Sequence, residues 1–395
     1  MKLSQSTFLA FAASALAAPS ATTPQKPRQA SAGCEAAVTL DATTNVFTSY
    51  TLHPNSFYRA EVEAAVAALT DPSLADAAAK VADVGTFLWL DTIENIGRLE
   101  PALADVPCEN IMGVVVYDLP GRDCAAKASN GELAVGEIDR YKTEYVDAVA
   151  AVLKAHPNTA FVLIIEPDSL PNLVTNADLQ TCQDSADGYR EGVAYALETL
   201  NLPNVVMYLD AGHGGWLGWD ANLKPGAEEL AAVYKAAGSP SQFRGISTNV
   251  AGWNQWDLTP GEFSGTSDAQ YNSCQNEKTY VETFGAALEA AGMPNHAITD
   301  TGRNGVSGLR EEWGDWCNVA GAGFGQRPSS DTGSDLADAF VWVKPGGESD
   351  GTSDETATRY DSFCGKSDAY KPSPEAGSWN QAYFEDLLKN AKPAF

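Results

Sequence analysis

At 395 residues, 44% hydrophobic and 19% charged, the chain has the make-up of one large globular domain or two small ones. Its 52 acidic residues face 25 basic ones, a net charge of −27, and that field repels nucleic acid and anionic lipid. A neutral substrate fits best, with no nucleic-acid and no membrane partner.

Residues 1–18 carry Lys2, a short apolar stretch over 8–16 and small residues at 15–18. This is the pattern of a secretory signal peptide, too short to span a bilayer, and it predicts a secreted, extracellular protein. Residues 19–40 include "TTPQKPRQASAG" and read as a mobile tail or propeptide, leaving one domain over 41–395. Seven cysteines in a secreted chain imply disulfides with one thiol left over: Cys34, Cys108, Cys124, Cys182, Cys274, Cys317 and Cys364. No CxxC pair occurs and the four histidines are scattered, so no metal and no cofactor are expected.

Seven apolar runs read as strands: 86–90, 113–117, 161–166, 205–209, 245–250, 296–300 and 339–343. Helix-period stretches such as 137–156 and 184–200 lie between them. Strands alternating with helices predict a parallel sheet. About seven units in one domain point to a closed or nearly closed β/α barrel, with a doubly wound open sheet as the alternative. "GAGFGQ" (321–326) has no strand leading into it and is not a dinucleotide loop.

In such a barrel, function sits at the carboxyl ends of the strands. Acids follow those ends in turn: Asp91, Asp118 with Asp123, Glu166 with Asp168, Asp210, Asp300, then Glu348 with Asp350. Tryptophans share the rim at Trp89, Trp216, Trp219, Trp253 and Trp316. Single acids at strand ends are commonly helix caps and single indoles are commonly core; the convergence carries the reading. Sugar rings stack C–H faces on indole and offer hydroxyls to carboxylates. Paired carboxyls cleave glycosidic bonds, one of them protonating the leaving oxygen.

Five blocks, "VVVYDLPGRDCAAKASNGE" (114–132), "VLIIEPDSLPNLVTN" (162–176), "MYLDAGHGGWLGW" (207–219), "EWGDWCNVAGAGFG" (312–325) and "VWVKPGGESDGTSD" (341–354), stand in family order. Through them the chain resembles glycoside hydrolase family 6, and within it the fungal cellobiohydrolases, from about residue 45 to the end. The resemblance implies a distorted seven-stranded β/α barrel that hydrolyses β-1,4-glucan with inversion at the anomeric carbon. It implies cellulose and cello-oligosaccharides as partners of a monomeric enzyme. By position, Asp168 matches the proton donor and Glu166 a structural neighbour. Asp123 matches the aspartate that favours the donor's protonated state, since two carboxyls sharing a site do not both ionise cheaply. Arg122 and Arg303 match arginines that steady the charge, and Asp210 a supporting aspartate. Asp350 matches the residue proposed as base, with a water path past Ser129 to Asp123 as the competing route. Tyr117 would crowd the ring at the cleavage point.

The resemblance also implies sugar contacts. Trp89 and Asp91 would hold the non-reducing side, while Trp316, Trp216 and Trp219 would form the leaving-group platform. His213, Lys344, Glu348 and Asn249 would meet hydroxyls. The family's "NVANY" is here "NVAGW" (249–253), so Gly252 replaces a sugar-binding Asn and Trp253 replaces Tyr. Cys124–Cys182 and Cys317–Cys364 match the family's two disulfides, leaving at most one further bridge among Cys34, Cys108 and Cys274. Nothing before the barrel has room for a cellulose-binding module, so a lone catalytic domain is expected. A full-length second loop (346–379) favours exo-acting release of cellobiose from non-reducing ends. A slightly short first loop (129–142) keeps an endo-β-1,4-glucanase with a more open cleft as the alternative, and an inactive sugar binder is the third reading.

Overall fold

The computed structural model describes residues 34–395; the expected signal peptide and the tail before residue 34 lie outside the described residues. Eight strand segments form one parallel sheet: β1 (Thr51–Leu52), β2 (Phe87–Leu90), β3 (Asn110–Val116), β4 (Ala160–Ile165), β5 (Val205–Asp210), β6 (Phe243–Thr248), β7 (His296–Asp300) and β8 (Ala337–Val341). β1 and β2 pair with successive stretches of the same edge of β3, so the eight segments fill seven positions. From β3 the order runs in sequence to β8. First and last positions meet where the Phe87 N–H donates to the Trp342 carbonyl (3.3 Å) and the Trp89 indole N–H to the Val343 carbonyl (2.8 Å). The result is a nearly closed seven-position barrel. An open doubly wound sheet would reverse its strand order at a switch point, and no reversal occurs here.

Both faces of this sheet are covered, which is why its strands are apolar throughout rather than alternating. Period-two parity still sorts them. Val115, Val162, Ile164, Val206 and Tyr208 fill the barrel interior. Their neighbours Val114, Val116, Phe161, Leu163, Met207 and Leu209 pack outward. The outer layer includes the helix Gln180–Thr199, the helix Asp220–Ala236, the helix Glu277–Ala291 and the helical stretch from Ile138 to Ala155, whose middle turn, Tyr141–Val146, is π-helical. The seven expected strands are all present, each within three residues of its expected bounds.

The expected tail boundary moves. Val38, Leu40, Ala42 and Val46 are buried and join the barrel-interior cluster. Backbone bonds from Val38 to Pro157 and from Leu40 to Pro203 (both 2.8 Å) dock this segment on the turns before β4 and β5. Cys34 bridges to Cys108 just ahead of β3. Residues 34–40 thus belong to the domain, because the amino-terminal end of the barrel needs an apolar cover. Burying each large aliphatic there is worth about 1.5–3 kcal/mol. The two expected bridges, Cys124–Cys182 and Cys317–Cys364, are also formed, and Cys274 is the buried free thiol.

Candidate active site

Backbone strain marks the carboxyl end of the barrel. Seven non-glycine residues among those described adopt positive φ, and six of them, Asp123, Glu166, Asp168, Asn249, Ala251 and Asn318, gather here. Such conformations cost on the order of 1–3 kcal/mol each and persist where surrounding contacts enforce them. At Asp168 (φ 59°) the enforcing contacts include its own N–H, which donates to Asp210 Oδ2 at 3.2 Å.

Three carboxyls meet around Asp168. Asp123 and Asp210 are buried, and Asp168 is half-buried. Burial first, then the negative neighbours Asp123 and Asp210, hold the Asp168 carboxyl well above the usual range, which favours its protonated form. Burial likewise lifts Asp210 to about 7. Asp123 is raised by burial against the opposing hydrogen bond that it accepts from Ser129 Oγ. A protonated acid held beside carboxylates suits proton donation to a leaving oxygen.

Two acids of the expected rim turn away from it. Asp118 has the outward parity of Val114 and Val116 and is fully buried, 3.6 Å from Arg122 Nη1. Neither carboxyl oxygen has a hydrogen-bond partner among the described residues, and burial pushes it up to about 8. Glu166 accepts from Tyr141 Oη (2.7 Å) and from the N–H groups of Asp118 (3.2 Å) and Leu119 (3.4 Å). It ties the loop after β3 to the outer layer, the structural role that was expected of it. Asp300 accepts four backbone N–H bonds, from Gly302, Val343, Ala251 and Lys344, and so fastens three loops together.

Arg122 bonds the carbonyls of Tyr117, Asp91 (2.8 Å) and Ser129 (3.0 Å), with its guanidinium 4.1 Å from the centre of the Tyr117 ring. One side chain therefore fixes the ends of β2 and β3 and places Ser129 against Asp123. Arg303 Nη1 lies 2.9 Å from both oxygens of Asp350, and Asp350 Oδ2 also accepts the Asn318 N–H (2.8 Å). The loop of Asp123 and the loop of Asp350 touch. Lys127 N–H donates to Asp361 Oδ2 at 3.0 Å, and Gly351 packs so close to Ala128 that an added Cβ would lie 2.8 Å from it.

Around the acids stand partly exposed groups suited to sugar. Trp89 meets Tyr117 edge-on at 5.2 Å, and Asp91 is half-buried beside it. Trp216 is oriented by its indole N–H on Thr175 Oγ1 (2.6 Å), and Trp219 by a bond to the Gly215 carbonyl (2.9 Å). Trp316 leans on Phe363. His213 Nδ1 accepts from Gly215 N–H and the Asn254 amide, so its proton sits on Nε2. Burial pushes its pKa down to about 3, leaving a neutral donor. Lys344 lies 3.7 Å from Glu348. Burial raises Glu348 to about 8, with Lys344 opposing and Glu61 adding to the rise.

Two expected sugar contacts are corrected. Asn249 is fully buried, with its amide spent on the Asn254 and Asp300 carbonyls and the Asn254 N–H. It shapes the loop instead of meeting substrate. Trp253 is 4% exposed, its N–H donates to the Trp316 carbonyl, and Arg303 covers its face at 4.0 Å. It supports the Arg303–Asp350 pair. Gly252 makes this packing possible, since a Cβ there would come 2.2 Å from Asn249 Oδ1. Glu61, Thr175 and Asn318 support the site without having been expected. None directly follows a strand, the signal that marked the rim acids, and none was among the positions matched through the resemblance.

The family model for "Glycosyl hydrolases family 6" matches residues 47–391. The chain is 74% identical over 387 residues to the 1,4-beta-D-glucan cellobiohydrolase CEL6C of Podospora anserina, covering 98% of this chain and 97% of that one. Among solved structures it superposes on the CcCel6A catalytic domain complexed with p-nitrophenyl beta-D-cellotrioside with a TM-score of 0.85 at 45% identity, covering 89% of this chain and 99% of that one. The catalytic core of the cellobiohydrolase Cel6A from Chaetomium thermophilum gives 0.83 at 47% identity, covering 88% and 99%.

Proposed function

This chain belongs to glycosyl hydrolase family 6, and on that premise we propose that it cleaves β-1,4-glucosidic bonds of cellulose with inversion, releasing cellobiose from non-reducing ends. The observation that carries the reading is the Asp168 carboxyl after a strand end, its N–H on Asp210 and its carboxyl held above the usual range by burial and by Asp123 and Asp210. Asp168 gives its proton to the glycosidic oxygen as the bond breaks. Water enters from the opposite face of the sugar and gives up a proton in turn.

Asp123, reached through Ser129, is the acceptor we favour. Once Asp168 has lost its proton, its new charge makes the neighbouring Asp123 easier to protonate, so the pair carries one charge throughout. Both Asp350 oxygens already face Arg303 and the Asn318 N–H, which suits a loop clamp better than a base. Contact between the Asp123 and Asp350 loops supports a covered chain and repeated cuts over an open cleft. Trp89, Asp91, Lys344 and Glu348 hold the non-reducing side, with Trp216, Trp219, Trp316 and His213 on the leaving side. Three disulfides suit work as a secreted monomer in an oxidising medium.

The test is hydrolysis of cellohexaose followed by anomer-resolved NMR. Cellobiose as the main product, formed first as the α-anomer, is expected. An initial β-anomer would refute the mechanism, and early random-length products would refute exo action.

A further inference from the structure

The turn Ala269–Tyr271 carries a ring that the fold leaves uncovered. Tyr271 is 62% exposed, and among the described residues its side chain has no hydrogen-bond, ring or cation partner. The other exposed large hydrophobics among the described residues, Val135 and Leu179, are aliphatic and have no stacking face. A single exposed aromatic is ordinary on a protein surface. What sets this one apart is its mount.

Asn272, the next residue, forms an antiparallel bridge with Trp219 and donates from its amide to the Gly214 carbonyl at 2.9 Å. Ser273 bonds Asp220 Oδ1 through both its N–H (3.2 Å) and its hydroxyl (2.8 Å). Behind them, Gly214 and Gly218 pack against Cys274 so tightly that an added Cβ would fall 2.7 Å from its carbonyl oxygen and 2.6 Å from its Cβ. The turn itself is closed by Tyr271 N–H on the Asp268 carbonyl (2.8 Å) and by the Gln275 amide on the Asn272 carbonyl (3.0 Å). Segments 271–274 and 214–220 are therefore joined by backbone, side-chain and packing contacts. Bridged residues sit about 4.5–5.5 Å apart and chain neighbours about 3.8 Å, so the Tyr271 backbone lies within about 10 Å of that of Trp219. A few sugar rings cover that span.

We propose that Tyr271 is a further sugar-stacking position, taking the leaving-side continuation of a β-1,4-glucan chain beyond Trp219. The proposal rests on the reading of Trp216 and Trp219 as the leaving-side platform. A tyrosine ring offers a flat apolar face and a hydroxyl for sugar oxygens, and with two side-chain torsions it loses little entropy on contact. Its fixed mount means the chain meets an ordered surface as it leaves the covered part of the site.

The experiment uses the Asp168→Asn background, which holds substrate without cutting it. Affinity for cellotetraose is measured by titration calorimetry and partition onto phosphoric-acid-swollen cellulose by depletion, for Tyr271→Ala, Tyr271→Trp and Trp219→Ala. Tyr271→Ala should lower the partition about three- to tenfold, the range of one aromatic stacking contact. The loss should exceed that on cellotetraose, and Tyr271→Trp should retain partition. Melting curves check that each variant is folded. Unchanged partition for Tyr271→Ala overturns the proposal. Trp219→Ala separates the two failures: weakened binding there leaves the platform reading standing, and unchanged binding removes both.

Discussion

Raising the pH from 5 to 7 should destabilise this fold, and the size of the loss follows from four carboxyls that face almost no solvent. Asp118, Glu166, Asp210 and Glu277 are each at most 1% exposed. Burial, before any other cause, lifts them to about 8, 7, 7 and 7. Their unfolded values lie near about 3.9 for Asp and 4.3 for Glu. A carboxyl raised in the folded state keeps its proton while the unfolded chain has lost it. Its contribution is complete below about pH 4 and is lost as pH rises through the folded value.

Each proton held by the native state alone changes the unfolding free energy by about 1.4 kcal/mol per pH unit. Four such protons over two units would remove about 11 kcal/mol, as much as many domains possess. The hydrogen bonds divide the four. Both oxygens of Glu166 and Oδ2 of Asp210 accept N–H or O–H donors that also stabilise charge. Both oxygens of Asp118, which has only the Arg122 charge at 3.6 Å, and Oε2 of Glu277 accept no hydrogen bond among the described residues. One to two net protons, or about 3–5 kcal/mol, is therefore the expectation. With about 360 described residues and roughly 2.1 cal/mol/K per residue of unfolding entropy, that is a fall in Tm of about 4–7 °C. Calorimetric scans at pH 5, 6 and 7 and fixed ionic strength measure it, and Asp118→Asn should remove about half the slope. A Tm that is flat or rises over this interval would refute the reasoning.

Four further variants have expected outcomes. Asp168→Asn should fold normally and lose several orders of magnitude on cellulose, with a smaller loss on substrates whose leaving groups need little protonation; equal loss on both removes Asp168 as the acid. Trp216→Ala should weaken binding of cellohexaose by about 1–3 kcal/mol. Thr175→Val, which removes only the bond that orients the indole, should cost about 1 kcal/mol; calorimetric titration in the Asp168→Asn background reads both. Cys108→Ser opens a loop of sequence separation 74 and should lower the unfolding free energy by about 2–4 kcal/mol. Denaturant titration checks it, and an unchanged midpoint would show that the amino-terminal segment is held by packing alone.

The barrel was legible in the sequence because strands buried on both faces must be continuous apolar runs. Their spacing by helical stretches leaves a parallel sheet as the solution. The acids Asp123, Asp168 and Asp210 were legible because each follows such a run, where this architecture opens to solvent. What only the tertiary structure decided was the direction each side chain takes once its strand ends. Asp118 keeps outward parity and leaves the rim, Asn249 turns into the loop it shapes, and Trp253 goes under Arg303. Positive φ at Asn249 and Ala251 turns the loop that carries Asn249 and Trp253; Asp and Asn adopt that conformation more readily than other non-glycine residues, but the local pattern does not fix which of them does. Pairings such as Trp216 with Thr175, Asp350 with Asn318 and Cys34 with Cys108 join residues 41, 32 and 74 apart. Periodicity encodes the geometry of a few consecutive residues, whereas contacts at those separations exist only once the barrel has closed and brought its loops to one end.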